Sequence, residues 1–141
     1  QTMKYLLDTC VISELVAKQP HPHVLEWIDT VDADGVYISV ITVGEITKGI
    51  EKLPNSKRRQ ELSNWLENEL LIRFQDNLIE LDVNILIQWG KLNARLEISG
   101  HRAPAIDSLI AATALEHELI LVTRNETDFA GTGVEILNPW G

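Results

Sequence analysis

The chain has 141 residues, 45% of them hydrophobic and 23% charged, the size and balance of one compact domain with its own core. Its formal net charge of −9 argues against a passive nucleic-acid binder, whose surface is basic, and suits a protein whose acids meet cations or a basic peptide. Cys10 is the single cysteine, which excludes intrachain disulfides and cysteine-rich zinc sites and makes a reducing cytoplasm the expected setting.

The start, Gln1-Thr2-Met3-Lys4, lacks a signal-peptide layout. Met3 reads as the natural first residue, with Gln1 and Thr2 an added remnant. Residues 4–7 form a first strand candidate that ends at Asp8. Residues 22–30 carry Val24, Trp27 and Ile28 on one helical face. The β-branched run over 36–41 predicts a second strand. A helix over 42–53 opens on Thr42 with Glu45 three residues later, the spacing of a capping box. Residues 56–73 predict a long amphipathic helix, and 78–81 a third strand. Asp82 suits an N-cap for a helix to residue 98, with Gly100 as its stop. That helix has two apolar stripes, one of Val83, Leu86, Ile87, Gly90 and Ala94, the other of Ile85, Trp89, Leu92 and Leu96. One should face the sheet; the stripe with Trp89, Leu92 and Leu96 is expected to join a second copy of the chain. Pro104 suits the first turn of an alanine-rich helix over 104–117. Leu-Ile-Leu-Val-Thr at 119–123 predicts a fully buried strand, and 134–137 a fifth. No apolar run has the length to cross a bilayer. Strands alternating with helices predict a single α/β domain over 1–141, three-layered, with a parallel sheet of about five strands flanked by helices.

Ligands bind beyond the carboxyl ends of such strands. Asp8 follows the first strand. Glu45 and Asp107 are expected in the first turns of their helices, and Asp128 in the loop after the strand ending at Thr123. Each has a plain alternative: Glu45 a cap, Asp107 a complement to the helix dipole, Asp128 a turn residue. Asp8, ending an apolar strand, has few structural excuses. Four converging carboxylates repel one another, and a divalent cation resolves that conflict. Oxygen-only ligands point to magnesium or manganese.

These residues fall in motifs. Leu7-Asp8-Thr9-Cys10-Val11-Ile12-Ser13-Glu14-Leu15 resembles the opening motif of PIN-domain toxins of the VapC and FitB type. Ile41-Thr42-Val43-Gly44-Glu45-Ile46 is similar to their second motif, and Asp107-Ser108-Leu109-Ile110-Ala111-Ala112-Thr113-Ala114 to their third. Thr123-Arg124-Asn125 with Asp128-Phe129 resembles the fourth, and Asn138-Pro139-Trp140 a common ending of the FitB-like branch. The resemblance implies a magnesium- or manganese-dependent endoribonuclease, the toxin of a type II pair. It implies a small DNA-binding antitoxin whose tail lies across the toxin and pushes a basic residue into the acidic pocket. Asp8, Glu45, Asp107 and Asp128 match the acidic positions, and Thr9 and Asn125 the assisting polar ones. Cys10 departs from the more usual asparagine, and reads as a small buried residue rather than a reactive thiolate.

Asp8 and Asp107 are expected as the main metal ligands, with Glu45 and Asp128 acting through waters or on a second ion. For RNA contact the candidates are Arg124, near the pocket, and Lys57-Arg58-Arg59, whose plain alternative is a solvated helix face. The antitoxin tail is expected in an apolar groove beside Trp27 and Trp65. A receiver-like signalling domain would also gather acids around magnesium, but it wants a lysine where Thr123-Arg124-Asn125 stands. A phosphatase of the haloacid-dehalogenase type wants an aspartate at position 10, where the chain has Cys10.

Overall fold

The computed structural model describes residues 3–141, so the reading of Gln1 and Thr2 as a remnant lies outside the described residues. The chain opens with strand β1 (Tyr5–Leu7), helix α1 (Thr9–Leu15), helix α2 (Pro22–Thr30), strand β2 (Val36–Ser39) and helix α3 (Val40–Glu51). Helix α4 (Lys57–Trp65) passes through a π turn (Leu66–Leu70) into the short α5 (Leu71–Arg73), which precedes β3 (Leu78–Ile79). The remainder holds α6 (Val83–Ile98), α7 (Ala105–Glu116), β4 (Ile120–Val122), a 3-10 turn (Glu126–Phe129) and β5 (Ile136–Leu137). All strand pairs are parallel, in the order β3-β2-β1-β4-β5.

Strand residues alternate between two cores. Leu7 and Val122 turn to one face, where Val11, Ile12, Val24 and Ile46 cover them. Leu6 and Leu121 turn to the other, against Leu92, Leu96, Ile110 and Phe129. Both faces are thus buried, which is why β4 is an unbroken apolar run. The result is the three-layer α/β architecture that the alternating segments predict. Asp82 caps α6 by accepting the Ile85 N–H at 2.9 Å, and Gly100, at φ 81°, supplies the left-handed turn by which the chain leaves that helix. No helix among the described residues is long and apolar enough to cross a membrane.

One helix lies where no element is expected, and three expectations need correction. Residues 9–15 are a helix that the sequence does not announce, because seven residues are too few to display a period. The strand over 36–41 stops at Ser39, whose hydroxyl accepts the Ile41 N–H at 3.0 Å and starts α3 two residues earlier. Local capping there overrides the β preference of Val40 and Ile41. Thr42 is therefore no cap and Glu45 no capping-box partner; Glu45 sits in the second turn of α3. Finally, the stripes of α6 exchange roles. Ile85, Leu92 and Leu96 are buried, and Trp89 Nε1 donates to Ser108 Oγ on α7 at 2.9 Å. The other stripe is open, with Val83 71%, Leu86 48% and Ile87 52% exposed. α7 packs against this stripe, which buries Leu92 and Leu96 and ties Trp89 to Ser108, so these residues are not available to a second copy.

Candidate active site

The strand order turns at β1 and β4: the chain goes from β1 outward to β2 and β3, then returns to lay β4 and β5 on the other side. Connections diverge there and open a crevice at the carboxyl ends of the two strands. Leu7 pairs with Val122, so the next residues, Asp8 and Thr123, meet at the floor of that crevice.

Asp8 is 6% exposed. Its carboxylate accepts from Thr123 Oγ1 at 2.8 Å and from the Thr9 N–H at 2.9 Å, the second bond capping α1. Burial raises its pKa; the two hydrogen bonds oppose that, and the charge of Glu45 adds to it. Cys10 Sγ stands 3.8 Å from Asp8 Oδ2 and 3.5 Å from Thr123 Oγ1. Burial pushes its thiol pKa up, in line with an inert small residue.

Glu45 reaches the same crevice from α3 and accepts the Thr9 hydroxyl. The buried Thr42 stands behind, its Oγ1 3.1 Å from Thr9 Oγ1. Asp107, in the first turn of α7, has its carboxyl pKa raised to about 6, chiefly by burial, then by the charges of Asp8, Asp128 and Glu45. Those three contributions make one electrostatic group of acids drawn from four parts of the chain. Asp128 comes from the exposed 3-10 turn after β4.

The ion pairs among the described residues are Arg59–Glu51 and Arg124–Glu14, so none of the four acids has a cationic partner. Hard oxygen donors with uncompensated negative charge fit magnesium or manganese. As the side chains stand, no group of three His, Cys, Asp or Glu among the described residues closes on one point. Asp107 and Asp128 make no side-chain hydrogen bond among the described residues, whereas the Asp8 carboxylate is held by two.

The basic candidates separate. Arg58 enters the structure, donating to the Val16 carbonyl at 2.6 Å. Arg59 pairs with Glu51 at 3.1 Å, and Lys57 is exposed, so the three do not form one basic face. Arg124 follows Thr123 directly and pairs with Glu14 at 3.7 Å. Asn125 gives its backbone N–H to Thr123 Oγ1 at 3.0 Å, while its side chain is exposed.

Thr123, part of the fourth motif, has a role in the site that its place in the sequence does not state: its hydroxyl donates to Asp8. A hydroxyl residue ending the buried strand beside β1 was the available signal. A cavity of about 240 Å³ runs from Thr9 and Glu45 past Arg58 to Leu62 and Trp65. A second hollow of about 330 Å³ shares Val16 and Trp65 with it and extends to Leu25 and Phe74. Trp27 lines neither; its ring meets Tyr5 edge-on at 5.2 Å.

Comparison with known proteins follows the same outline. A family model described as PIN domain matches residues 5–134. The chain is 37% identical to "VapC ribonuclease Y4jK" of Sinorhizobium fredii, over 96% of each chain. It is 35% identical to "Toxin FitB" of Neisseria gonorrhoeae, over 96% of this chain and 97% of that one. Among solved structures, FitAB bound to an IR36 DNA fragment aligns with a TM-score of 0.92 and 33% identity, covering 97% of this chain and 96% of that one. Crevice, ordered acids and a match along nearly the whole length agree: the chain belongs to the PIN-domain family.

Proposed function

We propose that the chain is a cytoplasmic, divalent-metal-dependent endoribonuclease, working as one domain over 1–141 and acting as the toxin of a toxin–antitoxin pair. One observation carries the reading: Asp8, Glu45 and Asp128 all bear on the half-buried Asp107 carboxyl, and among the described residues none of the four has a cationic partner. Likeness to a VapC ribonuclease and to FitB supports the activity and the role. Asp8, Glu45, Asp107 and Asp128 would hold magnesium or manganese, Asp8 and Asp107 most directly. When bound, the ion polarises phosphoryl oxygens and relieves charge on the leaving oxygen.

The remaining work falls to the chain's own side chains. The Thr123 hydroxyl and the Thr9 N–H aim the Asp8 carboxylate, and the Thr9 hydroxyl aims Glu45. Asn125 and Arg124 stand at the end of β4, where an RNA backbone would enter. Arg58, at the wall of the groove beside Glu45, is a second contact; Lys57 and Arg59 contribute less. Incubation with cellular RNA and either ion, followed by sequencing of the new ends, tests the activity. RNA left intact with both ions would sink it.

The apolar groove from Glu45 to Trp65 suits the tail of a small DNA-binding antitoxin. Its acidic end would receive an arginine or lysine of that tail, so inhibition should weaken as divalent ion is raised. We also assign self-association to the open stripe of α6. Ile87→Glu should yield a folded monomer in sedimentation at micromolar concentration, whereas Leu92→Glu should fail to fold. A parent already monomeric at that concentration removes this interface.

A further inference from the structure

Asn138-Pro139-Trp140, after β5, runs back to the loop that follows β4. Asn138 Nδ2 donates to Glu126 Oε2 at 2.9 Å, and Asn138 Oδ1 accepts the Trp140 N–H at 2.9 Å. The Arg124 guanidinium stacks over the Trp140 ring, 4.6 Å from Cζ to the ring centroid. Arg124 Nη2 also stands 3.7 Å from Glu14 Oε1. Further contacts close a circuit. Glu14 Oε2 accepts the His21 N–H at 2.9 Å, His21 Nδ1 accepts the His23 N–H at 3.1 Å, and His23 Nδ1 lies 3.2 Å from the Trp140 carbonyl. Arg124 thus meets both Glu14 and the Trp140 ring while its side chain stays 56% exposed, one residue from the Thr123 that binds Asp8.

The indole itself is informative. Trp140 Nε1 is buried without a hydrogen-bond partner among the described residues. An unpaired buried donor destabilises, and phenylalanine could fill this place without one. What tryptophan offers over phenylalanine is the stronger face for a cation, and a cation lies on it.

We propose that Trp140 is a positioning residue for RNA: it fixes Arg124 at the edge of the crevice, where the guanidinium meets a backbone phosphate beside the scissile bond. The inference rests on the ribonuclease reading. A crevice with four unbalanced carboxylates repels a polyanion, and a cation held at its rim offsets that repulsion at a set place. A guanidinium already held there loses less freedom when the phosphate arrives than a mobile one would.

The test measures binding of a single-stranded oligoribonucleotide by fluorescence anisotropy in magnesium, with the full chain carrying Asp8→Asn to prevent cleavage. Trp140→Leu should weaken binding about threefold to tenfold, the range for ordering one long side chain on binding. Trp140→Phe should recover most of the loss and melt no lower than its parent, having shed the unpaired N–H. With Arg124→Ala already present, Trp140→Leu should change nothing further. A ring that only supported the fold would weaken binding equally in both backgrounds; that result, or unchanged affinity in Trp140→Leu, overturns the proposal. If the chain with Asp8 restored neither binds nor cuts RNA, the ribonuclease reading falls together with this one. Cleavage by the parent without coupling between Trp140 and Arg124 overturns this inference alone.

Discussion

Asp8→Asn and Asp107→Asn should each slow RNA cleavage by more than about a hundredfold, beyond the loss usual for residues that only support a metal ligand. Neither variant should unfold. In the metal-free protein Asp107→Asn should be the more stable form, and the sign follows from its titration. Burial first, then Asp8, Asp128 and Glu45, raise the Asp107 carboxyl from 3.8 to about 6. The folded state therefore holds this proton more tightly than the unfolded chain, and folding loses stability as pH climbs through that window. The penalty is absent below about pH 4 and complete above about pH 6. Asparagine carries no such penalty. Without added metal, Asp107→Asn should match the parent in Tm at the acid end of the window and exceed it at the neutral end. Asp8→Asn should shift the same way, since burial also raises Asp8. Melting and cleavage are to be followed on the same samples. Parental cleavage rates in both variants would remove these acids from the mechanism.

The second large effect is stabilisation by divalent ion. Binding to the folded state alone contributes roughly 2.7 kcal/mol at a free ion concentration about 100 times the dissociation constant. For a chain of this length that corresponds to a rise in Tm of roughly 5–10 °C. Magnesium and manganese should both produce it, and a chelator should reverse it. The Asp8→Asn/Asp107→Asn double variant should lose most of the rise, because its two most direct ligands are neutral. Calcium is a useful comparison, being a hard cation that accepts larger, looser oxygen cages. Equal shifts in parent and double variant would mean that the ions act elsewhere on this acidic surface.

The parallel sheet and the place of Asp8 at the carboxyl end of β1 were legible because both depend on features of long reach. Apolar strands alternating with helices leave few topologies, and in those the strand ends with Asp8 and Thr123 share one crevice. What sequence missed was decided locally or by neighbours far along the chain. Ser39 ends β2 and starts α3 through one hydroxyl, against the preference of Val40 and Ile41. The stripes of α6 are nearly equal in apolar content, so only the position of α7 decides between them. The π turn at Leu66–Leu70 leaves no mark in the periodicity of the long helix. Thr123 became visible as a support for Asp8 only once residues 115 positions apart stood 2.8 Å from one another.

That last separation also bears on how the molecule comes into being. β1, in the middle of the sheet, is the first of the five strands to be made, and β4, which pairs with it, is the fourth. A chain emerging amino-terminus first can form α1–α3 and pair β1 with β2, but one long edge of β1 stays open until residues 120–122 arrive. Closing so large a loop is slow, as it is for other folds dominated by distant contacts. Until it closes, Asp8 lacks the Thr123 hydroxyl, Asp107 and Asp128 have no crevice to face, and the second core has not formed. The crevice therefore cannot be complete before β4 has been made and has joined the sheet, however early the first half of the chain folds.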